Sequence, residues 1–162
     1  MKIEIREIKD KDNDKIKQVL VSVMTEFGVP DHGTALQDKE LDSMSCAYKT
    51  ENSIYYVVTA DNIVCGGAGI SKLNGTNKNI CELQKMYFLP KIRGLGIGSK
   101  LIKKCLYYAK KKDYNLCYIE TMYNMKDAQR LYQKNGFIYI DHPLGDTGHS
   151  SCPVWMTLEL WT

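Results

Sequence analysis

Apolar and charged residues alternate in Ile3-Glu4-Ile5-Arg6-Glu7-Ile8, the spacing of a half-buried strand. From about Lys11 to Phe27 the period lengthens, and Ile16, Val19, Leu20, Val23 and Met24 fall on one helical face. Gly28-Val29-Pro30 ends that helix, because glycine caps and proline cannot continue it. Residues 31–37 read as a loop, and Asp38 to Tyr48 as a second, shorter helix. Ile54 to Thr59 is a β-branched and aromatic run, and Asp61-Asn62 turns it into Ile63 to Ser71 as a hairpin. Asn74-Gly75 marks the next turn, and Ile80 to Leu89 forms a strand that stops at Pro90.

The pattern then changes from period 2 to period 3.6. After Arg93-Gly94-Leu95-Gly96-Ile97-Gly98, apolar residues recur at Ile97, Leu101, Ile102, Cys105, Leu106 and Ala109, with Lys100, Lys103, Lys104 and Lys110 to Lys112 largely off that face. Leu116 to Thr121 predicts a short strand, and Met125 to Lys134 a helix stopped by Asn135-Gly136. Phe137 to Ile140 and Val154 to Leu160 close the chain as strands around a loop, 141–153, rich in Gly, Pro, Ser and His. No repeat or low-complexity segment interrupts this order. The expectation is one α/β domain over residues 1–162, with more hairpins than a purely doubly wound fold carries.

Composition narrows the function classes. At 162 residues, with 44% apolar and 25% charged, the chain is ordinary globular material with enough length for a core. A net charge of +3 is too weak a field to argue for nucleic acid or an anionic membrane. The lysines around 103–112 read as the solvated face of a helix, with no aromatic-interleaved RNA motif beside them. No run approaches the roughly 18 apolar residues of a membrane span, and the first residues carry a strand pattern in place of a signal peptide, so a cytoplasmic location is expected. The cysteines at 46, 65, 81, 105, 117 and 152 form no Cys-x-x-Cys pair, and four sit in apolar runs as reduced core residues. His32, His142 and His149 lack metal-ligand spacing, so no metal is expected.

The chemistry concentrates between Leu83 and Lys112. Glycines at 94, 96 and 98 let the backbone turn tightly and approach a ligand, and the amides that follow open a helix whose dipole favours phosphate. A P-loop would need Lys before Ser or Thr, whereas Gly98-Ser99-Lys100 has the reverse order. The dinucleotide fingerprint would need a third glycine where Ser99 stands.

The segment does resemble the acyl-CoA loop of the GNAT superfamily of N-acetyltransferases, seen here as Arg93-x-x-Gly96-x-Gly98. The resemblance extends to Glu82-Leu83-Gln84-Lys85-Met86-Tyr87-Phe88-Leu89-Pro90, similar to the family's fourth strand, and to Ala128 through Phe137, similar to its fourth helix with a Leu-Tyr-x-Lys-x-Gly-Phe ending. It implies a central mixed, mostly antiparallel sheet flanked by about four helices. It also implies acetyl-CoA as cosubstrate. Backbone groups of Met86, Tyr87 and Phe88 would meet pantetheine, the amides of Gly94, Leu95, Gly96, Ile97, Gly98 and Ser99 the pyrophosphate, and Arg93 would add a cation. A gap between the fourth and fifth strands would take the thioester, and a backbone N–H of the fourth strand would stabilise its oxygen. Tyr132 matches the family's proton donor to the departing thiolate, and Glu82 the strand position where some members carry a base. His32 and His149 lie in segments that wall the family's acceptor pocket. The implied activity is acetyl transfer to a primary amine of a small molecule, peptide or protein by direct attack in a ternary complex. No acyl-cysteine is implied, because Cys81 and Cys117 have no histidine nearby in any readable motif. A non-catalytic acyl-CoA-binding module and a nucleotide-binding regulatory domain are the competing readings; a homodimer is the expected assembly.

Overall fold

The structure is a computed structural model that describes residues 1–161. The elements are β1 (Ile3–Glu7), α1 (Asn13–Glu26), α2 (Met44–Ala47), β2 (Ile54–Ala60), β3 (Ile63–Lys72), β4 (Ile80–Phe88), α3 (Ile97–Lys111), β5 (Leu116–Thr121), α4 (Lys126–Lys134), β6 (Ile138–Ile140) and β7 (Val154–Glu159). The seven strands form one sheet in the order β1-β2-β3-β4-β5-β7-β6. Every neighbouring pair is antiparallel except β4–β5, which α3 connects as a parallel crossover.

Helices cover both faces of the sheet, and β2 shows why its sequence is apolar throughout. Ile54, Tyr56, Val58 and Ala60 pack into the core beneath α3, whereas Tyr55 and Val57 pack with Ile16, Leu20 and Met24 of α1. A strand covered on both sides reads as a continuous apolar run. The face expected on α3 is the one buried: Ile97, Leu101, Ile102, Cys105 and Ala109. The lysines at 103, 104 and 110–112 are exposed. Cys65, Cys81, Cys105 and Cys117 are buried and free, with Cys81 and Cys117 opposite one another on β4 and β5. Among the described residues, no helix is long and apolar enough to cross a membrane.

One expected element is different. In place of a helix over 38–48, the chain makes a 3-10 turn at Lys39–Asp42, breaks at Ser43, and completes only a single α-helical turn, α2. Its polar side chains bond to distant segments: Ser45 donates its N–H to Asn13 and its hydroxyl to Asp10. Asp38 stays extended and sends its carboxylate to Lys85 of β4. Side chains of this kind compete with helix formation.

Two irregularities of β4 position the site. Parallel pairing with β5 covers only Ile80–Glu82 against Leu116–Tyr118, after which β5 continues along β7 while β4 leaves it. On the other side, Gly67 pairs with Tyr87 but Gly69 with Gln84, so β4 carries one extra residue there. Lys85 takes up this bulge with φ +50°, and its carbonyl accepts the Tyr55 hydroxyl at 2.8 Å. The Tyr55 ring fits because β3 is glycine-rich: a Cβ on Gly67 or Gly69 would lie 2.5 or 2.6 Å from it.

Candidate active site

The wedge between β4 and β5 opens into a groove of about 400 Å³ that runs to the start of α3. Met86, Tyr87 and Phe88 form one side, Arg93, Gly94, Gly96, Ile97, Gly98 and Ser99 the head, and Leu131 and Tyr132 of α4 the other side. Gly96 precedes α3 with φ +77°, a conformation that L side chains rarely adopt, and a Cβ there would meet nothing within 4 Å, leaving its backbone open to a ligand. Gly98 meets a neighbour instead. A Cβ on it would collide with Leu131, so the glycine lets α3 approach α4. Leu95, expected with this group, is absent from the wall and 53% exposed.

Arg93 reaches the groove wall with its charge already matched. Its two terminal nitrogens donate to Glu26 of α1 at 2.7 and 2.9 Å, and its Nε donates to the Phe88 carbonyl at 2.9 Å. The guanidinium also lies 5.4 Å from the centre of the Phe27 ring. The side chain expected as a free cation is thus a strut joining the glycine loop, β4 and α1. Tyr132 is 5% exposed and packs edge-on against Phe137 with ring centres 6.0 Å apart. Among the described residues no buried side-chain polar atom lacks a partner, so the Tyr132 hydroxyl, which no protein group engages, opens to the groove. Burial raises its pKa, which keeps the phenol protonated.

A second, smaller cavity of about 40 Å³ continues the wedge on its far side, and the two share Leu83, Lys85, Tyr87, Glu120 and Thr121 as walls. Glu82, His149, Thr34 and Cys152 complete this cavity. Glu82 is only 5% exposed, and burial pushes its carboxyl up to about 7, with the Gln84 side-chain amide, donating at 2.7 Å, pulling the other way. Glu120 is likewise raised by burial, against hydrogen bonds from Thr147 and the Tyr118 hydroxyl. Burial lowers His149, but the Asp38 carboxylate at 2.8 Å from its Nε2 outweighs it and the imidazole titrates above its usual value. Asp38 also holds the Lys85 ammonium at 2.7 Å; burial would raise that carboxyl, and the two cations together bring it below the usual range.

Of the side chains anticipated from sequence, the structure brings Glu82 and His149 together and leaves His32 out. His32 is exposed, bonded to Gln37, and outside both cavity walls. Asp38, Lys85 and Glu120 were not anticipated. Only Glu120 carried a local sign, a lone carboxylate closing the apolar run Leu116–Ile119. Donor atoms of Glu82, Glu120 and His149 lie within 4.8 Å of one another, a grouping no sequence spacing reveals. Glu120 already accepts two hydrogen bonds and His149 Nε2 faces Asp38, so the cluster is engaged with protein groups.

Comparison with known proteins agrees with this geometry. The pattern of the acetyltransferase (GNAT) family matches residues 18–137. The uncharacterized N-acetyltransferase YjgM of Escherichia coli K12 is 41% identical over 157 residues, spanning 96% of this chain and 94% of that protein. A GNAT-family acetyltransferase from Staphylococcus aureus Mu50 superposes with a TM-score of 0.85 at 21% identity, covering 98% of this chain and 99% of that one. The PaiA N-acetyltransferase of Thermoplasma acidophilum, solved with coenzyme A, superposes with a TM-score of 0.75 at 18% identity, covering 98% and 99%. The chain is therefore an acyltransferase and belongs to the GNAT acetyltransferase family.

Proposed function

We propose that the protein transfers an acetyl group from acetyl-CoA to a primary amine by direct attack in a ternary complex. The observation that carries this reading is that the two cavities lie side by side along the β4–β5 wedge, with Leu83, Lys85, Tyr87, Glu120 and Thr121 as common walls. One end offers backbone amides and a helix start, the other a buried carboxylate that titrates near neutrality.

The groove fits acetyl-CoA on its own geometry. Open backbone at Gly94 and Gly96 stands before a helix of 15 residues, a setting that favours a pyrophosphate. Acetyl-CoA supplies a thioester carbonyl open to attack and a thiolate that departs. The protein does the rest. Amides of Gly94 through Ser99 hold phosphate oxygens, and β4 presents at Met86, Tyr87 and Phe88 the backbone that β5 has left unpaired. An N–H beside the Lys85 bulge is then a preorganised donor to a carbonyl oxygen. Arg93 fixes the loop against α1.

Proton movement falls to two side chains on opposite sides of the wedge. Glu82, with a pKa near 7, takes the proton of the attacking amine, a far better match than an ordinary carboxylate. Tyr132 protonates the departing thiolate. His149 forms the wall of the acceptor cavity with Glu120 and Thr34. The test is thiol release from acetyl-CoA over a panel of amines between pH 6 and 9. Amine-dependent release that rises through about pH 7 is expected. Binding of CoA with no release for any amine would instead describe a non-catalytic acyl-CoA module.

A further inference from the structure

The size and charge of the small cavity bear on which amine the site would take. Its volume, about 40 Å³, is a small fraction of the roughly 400 Å³ of the neighbouring groove. It has a tied roof: the Ser151 N–H donates to the Gly33 carbonyl at 2.9 Å and the Ser151 hydroxyl to the His32 carbonyl at 2.9 Å, joining the loop after α1 to the loop before β7. So narrow a cavity, tied above, suits the end of a chain better than a branch.

Charge points the same way. The ionisable groups around the cavity are Asp38 from the turn before α2, Glu82, Lys85 and Tyr87 from β4, Glu120 from β5, and His149 and Cys152 from the loop before β7. Both cations are committed to one carboxylate, with Lys85 Nζ and His149 Nε2 at 2.7 and 2.8 Å from Asp38. The Lys85 side chain is only 4% exposed, so it is not available to a solvent-borne anion. Arg93, which lines the neighbouring groove, is bound by Glu26. Glu82 and Glu120 are left without a cationic partner inside 3.5 Å; the closest approach is His149 Nδ1 to Glu120 at 4.0 Å. An ammonium entering here completes the charge balance. A carboxylate entering with it would be buried without a cation, an unfavourable exchange for its lost hydration.

We infer that the acceptor presents its amine on an unbranched CH2 carbon that bears no carboxylate: an alkylamine end or a lysine side chain, and neither an α-amino acid nor a peptide N-terminus. This rests on the acetyltransferase reading above. Matched pairs test it, with thiol release measured for ethanolamine against serine, tyramine against tyrosine, and histamine against histidine, and for Nα-acetyllysine against a peptide with a free N-terminus and no lysine. The unbranched member of each pair is expected to have the higher kcat/KM by ten-fold or more. Equal or reversed preference would overturn the inference and leave the acetyltransferase reading standing. No release from any compound, with CoA binding intact, would overturn both. Glu120→Gln removes one of the two carboxylates that have no cation inside 3.5 Å, so the ethanolamine-to-serine ratio should narrow several-fold; an unchanged ratio would overturn the electrostatic part.

Discussion

Glu82 sits where burial and chemistry ask for the same pKa. Buried at 5% exposure, its carboxyl is raised to about 7 and is half ionised near neutral pH, where a base for an ammonium is most useful. Replacing it isolates that role. Glu82→Gln keeps the shape and the contact with Gln84, and kcat/KM at pH 8 should fall by about 10²-fold or more with loss of the rising limb near pH 7. Stability moves the opposite way. A carboxyl whose folded pKa lies above its unfolded value stabilises the fold at low pH and loses that contribution as pH rises through 4.5 to 7 and beyond. The Tm difference between Glu82→Gln and wild type should therefore grow in favour of the variant across that window, measured by thermal melts at each pH. Tyr132→Phe is the complementary test. The hydroxyl holds no protein partner and the ring keeps its packing on Phe137, so Tm and CoA affinity should be unchanged while kcat drops about 10²-fold. An unchanged kcat would remove the phenol from the mechanism.

At the scale of elements, the site is made by strands that stop pairing. β4 leaves β5 after Glu82 and bulges away from β3 at Lys85, so the same strand supplies open backbone on one side and a carboxylate on the other. The glycine loop depends on a backbone that side chains resist. Gly96→Val, forced into φ +77°, should destabilise by about 1–2 kcal/mol and weaken CoA binding more than ten-fold by titration calorimetry. The turn at Asp38 is equally specific: Asp38→Asn removes the charge that holds His149 up, and its imidazole pKa, followed by NMR, should fall. How much of this the sequence shows depends on range. Strands such as Leu116–Thr121 and the buried face of α3 follow from local periodicity, and the glycine loop from residues close together in the chain. The segment from 38 to 48 does not, because tertiary hydrogen bonds from Asp38 and Ser45 override its helical spacing. The meeting of Asp38, Glu82, Lys85, Glu120 and His149 was also out of reach. It is set by the register of β4 on β5 and by the two loops that close above them, and no spacing along the chain encodes it.

For the whole molecule, both cavities lie along one wedge inside the sheet, the larger groove toward α3 and α4 and the smaller cavity against loop residues such as Thr34, His149 and Cys152. Acetyl transfer requires that groove to take acyl-CoA. The direct test is thermal unfolding with CoA, acetyl-CoA, ATP and NADH, each at about 100 times a micromolar Kd. A ligand binding only the folded state then adds about 2.7 kcal/mol, or a rise of about 5–10 °C for a chain of this size. A rise with CoA and acetyl-CoA and none with ATP or NADH is the predicted result; a Tm unmoved by CoA would contradict it.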